Sequence, residues 1–181
     1  MKKLIASLFV FVAALFSTLA MAASLNDAQT QTLAAALRAD TDPAVVTART
    51  QRNDAELARL YNADSTFVVW RSAVYPREYR EAIVWTAVDA LSAGKARIWE
   101  WITQGMTAPI DATQANIRQG IADAWGASSA TGLALQGISK RPASKAEKLY
   151  VTGTGTTANP GLMTWEGPLQ VNDVSRALNE F

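Results

Sequence analysis

Three groups of residues have the types and spacing that could support chemistry. Ser92 and Lys95 form an S-x-x-K pair, the nucleophile motif of penicillin-interacting enzymes. Gly153 and Gly155 alternate with threonines, as in a loop that cradles phosphate. Mid-chain carboxylates could supply the acid and base of a glycoside hydrolase. These carboxylates are Glu100, Asp111, Asp123, Glu166 and Asp173.

Each of the three patterns is incomplete. No S-D-N or K-T-G element accompanies Ser92, so we interpret this serine as the cap of the following helix. Gly155 is followed by threonines and Ala158, where phosphate loops need a lysine or a third glycine. We therefore expect a helix end and a turn at this place. The carboxylates form no evident pair, and most stand at helix starts.

Two residue types that serve many enzymes are missing, because the chain has no cysteine and no histidine. Their absence excludes a thiol nucleophile, a Ser-His-Asp triad, a haem histidine and a His/Cys zinc site. Carboxylate, Lys, Tyr and Ser chemistry, or a carboxylate metal site, remain open. We predict no catalytic, cofactor-binding or metal-binding residue, and we expect the protein not to be an enzyme.

The N-terminus has the three parts of a secretion signal. Two lysines precede an apolar run from Leu4 to Leu15, and Ala20-Met21-Ala22 fits the small-x-small rule of signal peptidase. We predict cleavage after Ala22 and a periplasmic or secreted product, with membrane contact only through the signal segment. Without the two lysines, fifteen Lys and Arg face sixteen Asp and Glu. This balance gives no electrostatic reason to expect nucleic acid.

The run 139–148 contains four cations in ten residues. A nucleic-acid site would interleave aromatic residues with these cations, and only Tyr150 is near. We interpret the run as the solvated entry of a helix, with contact to an acidic partner as the alternative.

The chain has six tryptophans, and we expect most of them to lie in the core, because each ring buries a large apolar area. Trp99 and Trp101 lie two residues apart on a predicted helix, which separates them by about 200° of rotation. Trp101 shares a face with Ile98 and Ile102, so we predict that it packs inward. Trp99 then points to a second layer or to a partner, and we take it as a candidate interface residue.

Helix signals dominate residues 23–181, for which we predict a compact, mainly α single domain with at most a small β element. Ser24 or Asn26 can cap the first helix, Asn53 can cap the third, and Asp42 followed by Pro43 begins the second. The further helices are predicted at 92–103, after a cap at Asp111, at about 128–139, at about 143–151, and after a cap at Asn172. The β-branched and aromatic run 66–70 is the best strand candidate, and Tyr75-Pro76 breaks the chain.

Four segments of the chain carry a family resemblance: STFVVWRSAV, GKARIWEWIT, NIRQGIADAW and the closing RPASKAEKLYVTGTGTTANPGLMTWEG. They resemble a group of small proteins of tailed phages and prophages. Members share a helix ending in A-E-K-L, then T-G-T-G, then a P-x-x-M-x-[FW]-E-G turn and a short last helix. The matching residues are Ala146, Glu147, Lys148, Leu149, Thr152, Gly153, Thr154, Gly155, Met163, Trp165, Glu166 and Gly167. Gly161 departs from the residue that members often carry after the proline. The resemblance extends over about 24–181 and implies a virion or morphogenesis role without a catalytic mechanism.

We therefore expect a non-enzymatic structural, assembly or interaction protein of phage origin, with protein partners or copies of itself. The candidate interface residues are Trp99, Met163, Trp165 and Glu166. A periplasmic binding or adaptor protein that acts on an envelope component is the alternative, and an envelope-acting hydrolase is third. The phage-like members begin near the equivalent of Leu25. The signal is thus a fused export signal, upstream sequence captured by the start at Met1, or a segment inserted in the inner membrane. A true start near Leu25 would instead place the protein in the virion or the cytoplasm.

Overall fold

The computed structural model describes residues 24–103 and 108–181. Over these residues the chain forms eight α-helices, two short 3₁₀ turns and two small two-stranded sheets, which confirms the predicted mainly α class. The predicted signal at 1–22, with its cleavage after Ala22, lies outside the described residues. Among the helices of the described part, none has the length and apolar character needed to cross a membrane.

The elements follow one another in a simple order. The helices are α1 (Asp27–Ala39), α2 (Pro43–Thr50), α3 (Asp54–Tyr61), α4 (Pro76–Ala82), α5 (Ala93–Thr103), α6 (Ala115–Trp125), α7 (Ala130–Ile138) and α8 (Val171–Glu180). The strands are β1 (Asp64–Trp70), β2 (Lys140–Ser144), β3 (Val151–Thr152) and β4 (Leu162–Met163). The 3₁₀ turns are Trp85–Ala87 and Glu147–Tyr150.

Local capping signals correctly predicted the starts of the first three helices. Asn26 and Gln29 form a reciprocal capping box at α1. The Asp42 carboxylate accepts the Ala44 N–H at 2.9 Å, and Pro43 is the first residue of α2. Asn53 caps α3. In each case the cap satisfies a backbone N–H that has no partner inside the helix.

Two predicted caps were wrong by a few residues. Asp111 does not cap α6, which begins at Ala115. Its carboxylate instead accepts the N–H and the hydroxyl of Thr113, at 2.9 and 2.6 Å, in the turn before the helix. Asn172 lies inside the first turn of α8, and Asp173 accepts the Gln170 N–H at 3.1 Å at the start of this helix. Asp and Asn serve turns as well as caps, so their positions alone do not fix a helix start.

Two further segments differ from the prediction. The predicted helix at 143–151 is wrong, because 140–144 is strand β2 and only the turn Glu147–Tyr150 is helical. Pairing with β1 provides partners for the backbone of this run and overrides its helical composition. Tyr75-Pro76 does not only break the chain: Pro76 is the first residue of α4, a helix that the sequence did not indicate.

The buried side chains form two clusters, which we call the terminal core and the central core. The terminal core joins α1, α2, α3 and α8 to residues 146–169. The central core joins α4, α6 and α7 to Val74, Ile110 and Ala112, with α5 packed against it from outside. β1 and β2 pair antiparallel between the two, from Asp64 opposite Ser144 to Trp70 opposite Lys140. We call this strand pair the seam.

Candidate functional site

Helix α5 has no buried residue, and it lies along α6 with a groove of about 460 Å³ between them. Trp101 stands at this groove and is 75% exposed, more than any other large apolar side chain in the described residues. The lining residues of α5 are Gly94, Arg97, Ile98, Trp101 and Ile102, and those of α6 are Asn116, Ile117 and Gly120. The groove is therefore mainly apolar, and the exposed indole of Trp101 lies at its edge.

Two glycines shape the groove. At Gly120 a Cβ atom would lie 2.9 Å from Cδ1 of Ile102, so the missing side chain lets α5 and α6 approach closely. At Gly94 a Cβ atom would meet no other atom within 4 Å, so the space beside this end of α5 is open. Gly120 thus allows Ile102 to pack closely on α6, and Gly94 leaves an unfilled position in the lining of the groove.

The two tryptophans of α5 face opposite ways, as the sequence predicted, but Trp101 is not the one that packs inward. Trp99 is half-buried and packs edge-to-face against Tyr79 and Trp125, with ring centroids 6.1 and 5.4 Å apart. Trp101 faces solvent, so its predicted inward packing with Ile98 and Ile102 is wrong. The aromatic rings of α4 and α6 lie on the Trp99 side of α5, and they decide the orientation of the helix. A partner contact by Trp99 stays a prediction.

The other candidate interface residues lie away from this groove. Trp165 is only 6% exposed and packs against Tyr150 in the terminal core, with centroids 5.5 Å apart. Met163 and Glu166 are half-buried, and both contact the Arg141 guanidinium. Their role in an interface stays a prediction as well.

Arg141 is the centre of an ionic network at the seam. Its two terminal nitrogens each bind one carboxylate oxygen of Glu147 at 2.7 Å, and Nη2 also binds Glu166 at 3.0 Å. The backbone N–H groups of Ser144 and Gly167 donate to Glu147 at 2.9 and 3.0 Å. Both Glu147 oxygens are therefore fully used by protein donors, which is the arrangement of a structural tie.

Ionisation in this network follows from the same contacts. Burial by itself would raise the pKa of the Glu147 carboxyl, but the hydrogen bonds from Arg141, Ser144 and Gly167 outweigh it and lower the pKa. The hydrogen bond to Glu147 in turn raises the pKa of Arg141. Arg141 and Glu147 thus stabilise each other's charged forms, as expected of a structural ion pair.

The basic run 139–148, which contains Arg141, is therefore not a solvated helix entry. Its prediction failed because residues 140–144 pair with β1 as a strand, and because Arg141 binds Glu147 within the run and Glu166 in a loop further along the chain. A cue was present in the A-E-K-L and W-E-G elements, each of which carries one of these glutamates next to a buried residue.

The T-G-T-G segment is a turn that supports the seam. Gly153 and Gly155 have φ of +105° and +66°, a backbone region that other residues rarely adopt. A Cβ atom at Gly155 would lie 2.3 Å from ring atoms of Phe67, and the Gly155 carbonyl accepts the Val68 N–H at 2.7 Å. The predicted helix end is wrong at this place, because strand β3 separates the 3₁₀ turn Glu147–Tyr150 from Gly153, whereas the absence of a regular helix or strand from Gly153 to Pro160 agrees with the predicted turn. The glycines permit close packing on β1.

The remaining chemical candidates also have structural partners. Ser92 Oγ accepts the Lys95 N–H at 3.4 Å at the start of α5, as a cap does. Arg118 and Lys140 lie 4.7 and 5.0 Å from the centre of the Trp70 ring, and both also donate to backbone carbonyls. In residues 24–103 and 108–181, no three acidic side chains gather into a group that could hold a metal ion.

Comparison of the chain with protein-family models, curated proteins and solved structures gives no match. The groove between α5 and α6, with Trp101 at its edge, is therefore identified as the candidate site on its geometry.

Proposed function

We propose that this protein is a non-enzymatic interaction protein of phage origin, and that it assembles through the groove between α5 and α6. The observation that carries the proposal is the 75% exposure of Trp101 beside an apolar groove. An exposed indole next to apolar surface is a costly arrangement in water, and tryptophan is enriched at the energetic centres of protein interfaces.

The chemistry of the groove favours a protein partner. Ile98, Ile102 and Ile117 provide aliphatic surface, whereas Arg97 and Asn116 contribute the polar groups. This combination of an apolar centre and a few polar groups at the edge is the usual composition of a protein interface. The nearly balanced charge of the chain after the two N-terminal lysines gives no support to nucleic acid as the partner.

The resemblance of the C-terminal segment to small proteins of tailed phages supports an assembly role in a virion or in morphogenesis. Gene neighbourhood tests this part of the proposal. We expect capsid or tail genes on either side of the gene, and a neighbourhood of envelope genes would contradict a phage role.

A periplasmic binding or adaptor protein is the second candidate, and the N-terminal signal favours it. Lys2 and Lys3, the apolar run and Ala20-Met21-Ala22 together form the pattern that signal peptidase recognises. Mass spectrometry of the protein isolated from its host would identify the N-terminal residue. We expect Ala23, and a chain that begins at Met1 in the cytosol would contradict export.

Site-specific photo-cross-linking in the host tests the groove directly. A photoreactive amino acid at position 98 lies within the groove, and one at position 85 replaces a tryptophan that is 63% exposed and does not line it. We expect a discrete adduct, identified by mass spectrometry, from position 98, and its loss when Trp101→Ala is added. Equal adducts from both positions, or none from position 98, would contradict the proposal.

A further inference from the structure

We propose that the groove is occupied by the same groove of a second copy, in a two-fold symmetric dimer whose α5 helices run antiparallel. This inference rests on the proposed function, because it names the partner of that surface. A two-fold interface uses one patch twice, so the patch must be complementary to itself. The α5 face meets this requirement in shape and in charge.

Gly94 and Trp101 make the α5 face complementary to itself in shape. They lie on the same face of α5, seven residues or about two turns apart. Gly94 leaves an open space, since a Cβ atom there would meet nothing within 4 Å, whereas Trp101 carries an indole that is 75% exposed. In an antiparallel pair centred between Arg97 and Ile98, each Trp101 lies over Gly94 of the other copy. The two contacts form together.

Arg97 and Glu100 make the same face complementary to itself in charge. A Cβ atom at Gly120 would lie 2.9 Å from Ile102 and 3.7 Å from Ile98, so α6 lies on that side of α5. Arg97 lines the groove and Glu100, three residues on, does not, and the two residues together form one edge of the exposed α5 face. Neither forms an ion pair within the described residues. In the antiparallel pair this edge meets its own copy, which brings Arg97 next to the other copy's Glu100 twice.

The expected size of the contact fits a reversible dimer. A buried tryptophan contributes about 150–250 Å², so two of them give roughly 300–500 Å² of the 1,200–2,000 Å² in a stable interface. The two indoles can thus form the centre of the contact, and the neighbouring parts of α5 and α6 must supply the rest. Between residues 24 and 181 the charges nearly cancel, so two copies repel each other little.

Sedimentation velocity over a range of concentrations tests the dimer on the protein as isolated from cells. We expect the wild-type chain to shift from monomer to dimer as concentration rises. Trp101→Ala removes the indole and Gly94→Leu fills the space that it enters, so both variants should stay monomeric. Trp85→Ala is the control, because it removes an exposed tryptophan outside the groove and should leave the dimer intact. Circular dichroism checks that each variant is folded.

A charge exchange tests the symmetry. Arg97→Glu alone places two acidic residues opposite each other and should weaken the dimer at least tenfold. Adding Glu100→Arg should restore it, because the pairs form again with reversed signs. A wild-type chain that is monomeric at all concentrations, or a dimer indifferent to Trp101→Ala and Gly94→Leu, would overturn the inference. If the dimer fails these tests but photo-cross-linking at position 98 captures another protein, the proposed function is supported and only the dimer is excluded. If no adduct forms at position 98, the dimer and the proposed function are both contradicted.

Discussion

The terminal core and the central core differ in how completely their helices bury apolar side chains. In the terminal core, α1, α2, α3 and α8 surround side chains such as Leu33, Leu37 and Leu57, all of which are fully buried. In the central core, α5 covers α4 and α6 with one face only and leaves its other face in solvent. Most of the exposed large apolar residues of the described chain belong to this second region. They are Tyr75, Val84, Trp85, Ile98, Trp101 and Leu133.

Polar contacts distinguish the terminal core from helix α5. Around the terminal core, Tyr61 donates to Asp40, which also binds Lys145 at 2.7 Å, and the side chain of Asn62 both donates to and accepts from the backbone of Leu169. These bonds join parts of the chain that are far apart in sequence. The charged side chains of α5 make no such ion pairs within the described part of the chain. We infer that the terminal core is the scaffold and that the central core presents a binding surface.

The largest expected effect comes from the interior of the terminal core. Leu33→Ala removes a side chain with no exposed surface and should lower the free energy of unfolding by about 4 kcal/mol, through lost transfer energy and the cavity left behind. Leu133→Ala is the matched control, because Leu133 lies in the central region and is 58% exposed. This substitution should change the free energy of unfolding by less than about 0.5 kcal/mol. Urea denaturation followed by circular dichroism measures both. Similar losses in the two variants would remove the distinction between the regions.

The two tryptophans of α5 allow a packed ring and an exposed ring to be compared within one helix. Trp99→Ala should lower the free energy of unfolding by about 3 kcal/mol, because it removes both edge-to-face ring contacts. Trp101→Ala should change it by less than about 0.5 kcal/mol at concentrations where the wild type is monomeric. Thermal and urea unfolding at low concentration measure the pair. A larger loss for Trp101→Ala would show that its ring has a packing role.

A smaller effect is expected at the seam. Glu147→Gln keeps the size of the side chain but removes the charge that binds Arg141, and should lower the free energy of unfolding by about 2 kcal/mol. Glu81→Gln is the control, because the exposed Glu81–Arg77 pair on α4 contributes little in water, and should have no measurable effect. Equal behaviour of the two variants in urea denaturation would argue against a structural tie at the seam.

The smallest effect is the pH dependence of the same ion pair. The pKa of Glu147 is lower in the folded protein than in the unfolded chain, where it is about 4.3. Ionised Glu147 therefore stabilises the fold at pH values above the pKa of the unfolded chain. This stabilisation is lost as the pH falls through the pKa of the folded state. The stability difference between wild type and Glu147→Gln should be constant from pH 7 to about pH 5 and shrink below about pH 4. Denaturation at several pH values measures it. A difference that grows towards acid pH would contradict the assignment.

The fold could be predicted from the sequence where local signals decide the structure. The first three helix starts, the strand around Phe67 and the helices α5 and α7 follow from caps, proline positions and apolar spacing. The prediction failed where a distant segment decides. β2 contains Pro142 and several polar residues, and it is a strand because β1 lies beside it.

The candidate site could be predicted only in part. The spacing of Trp99 and Trp101 required them to face apart, and this was correct. Which of the two faces outward depended on α4 and α6, since Tyr79 and Trp125 lie on the Trp99 side. The groove itself requires the close approach of α5 and α6 at Gly120, which a single sequence does not reveal.

The sequence by itself thus determined the mainly α class, the N-terminal caps of the first three helices at Asn26, Asp42 and Asn53, and the opposite directions of the two tryptophans. These features depend on backbone geometry and on bonds between residues a few positions apart. Only the tertiary structure decided that Arg141 binds Glu147 and Glu166 and that Trp101 is exposed beside a groove. Such contacts join segments far apart in the chain, and their free energy depends on burial and neighbours that exist only after the helices have packed.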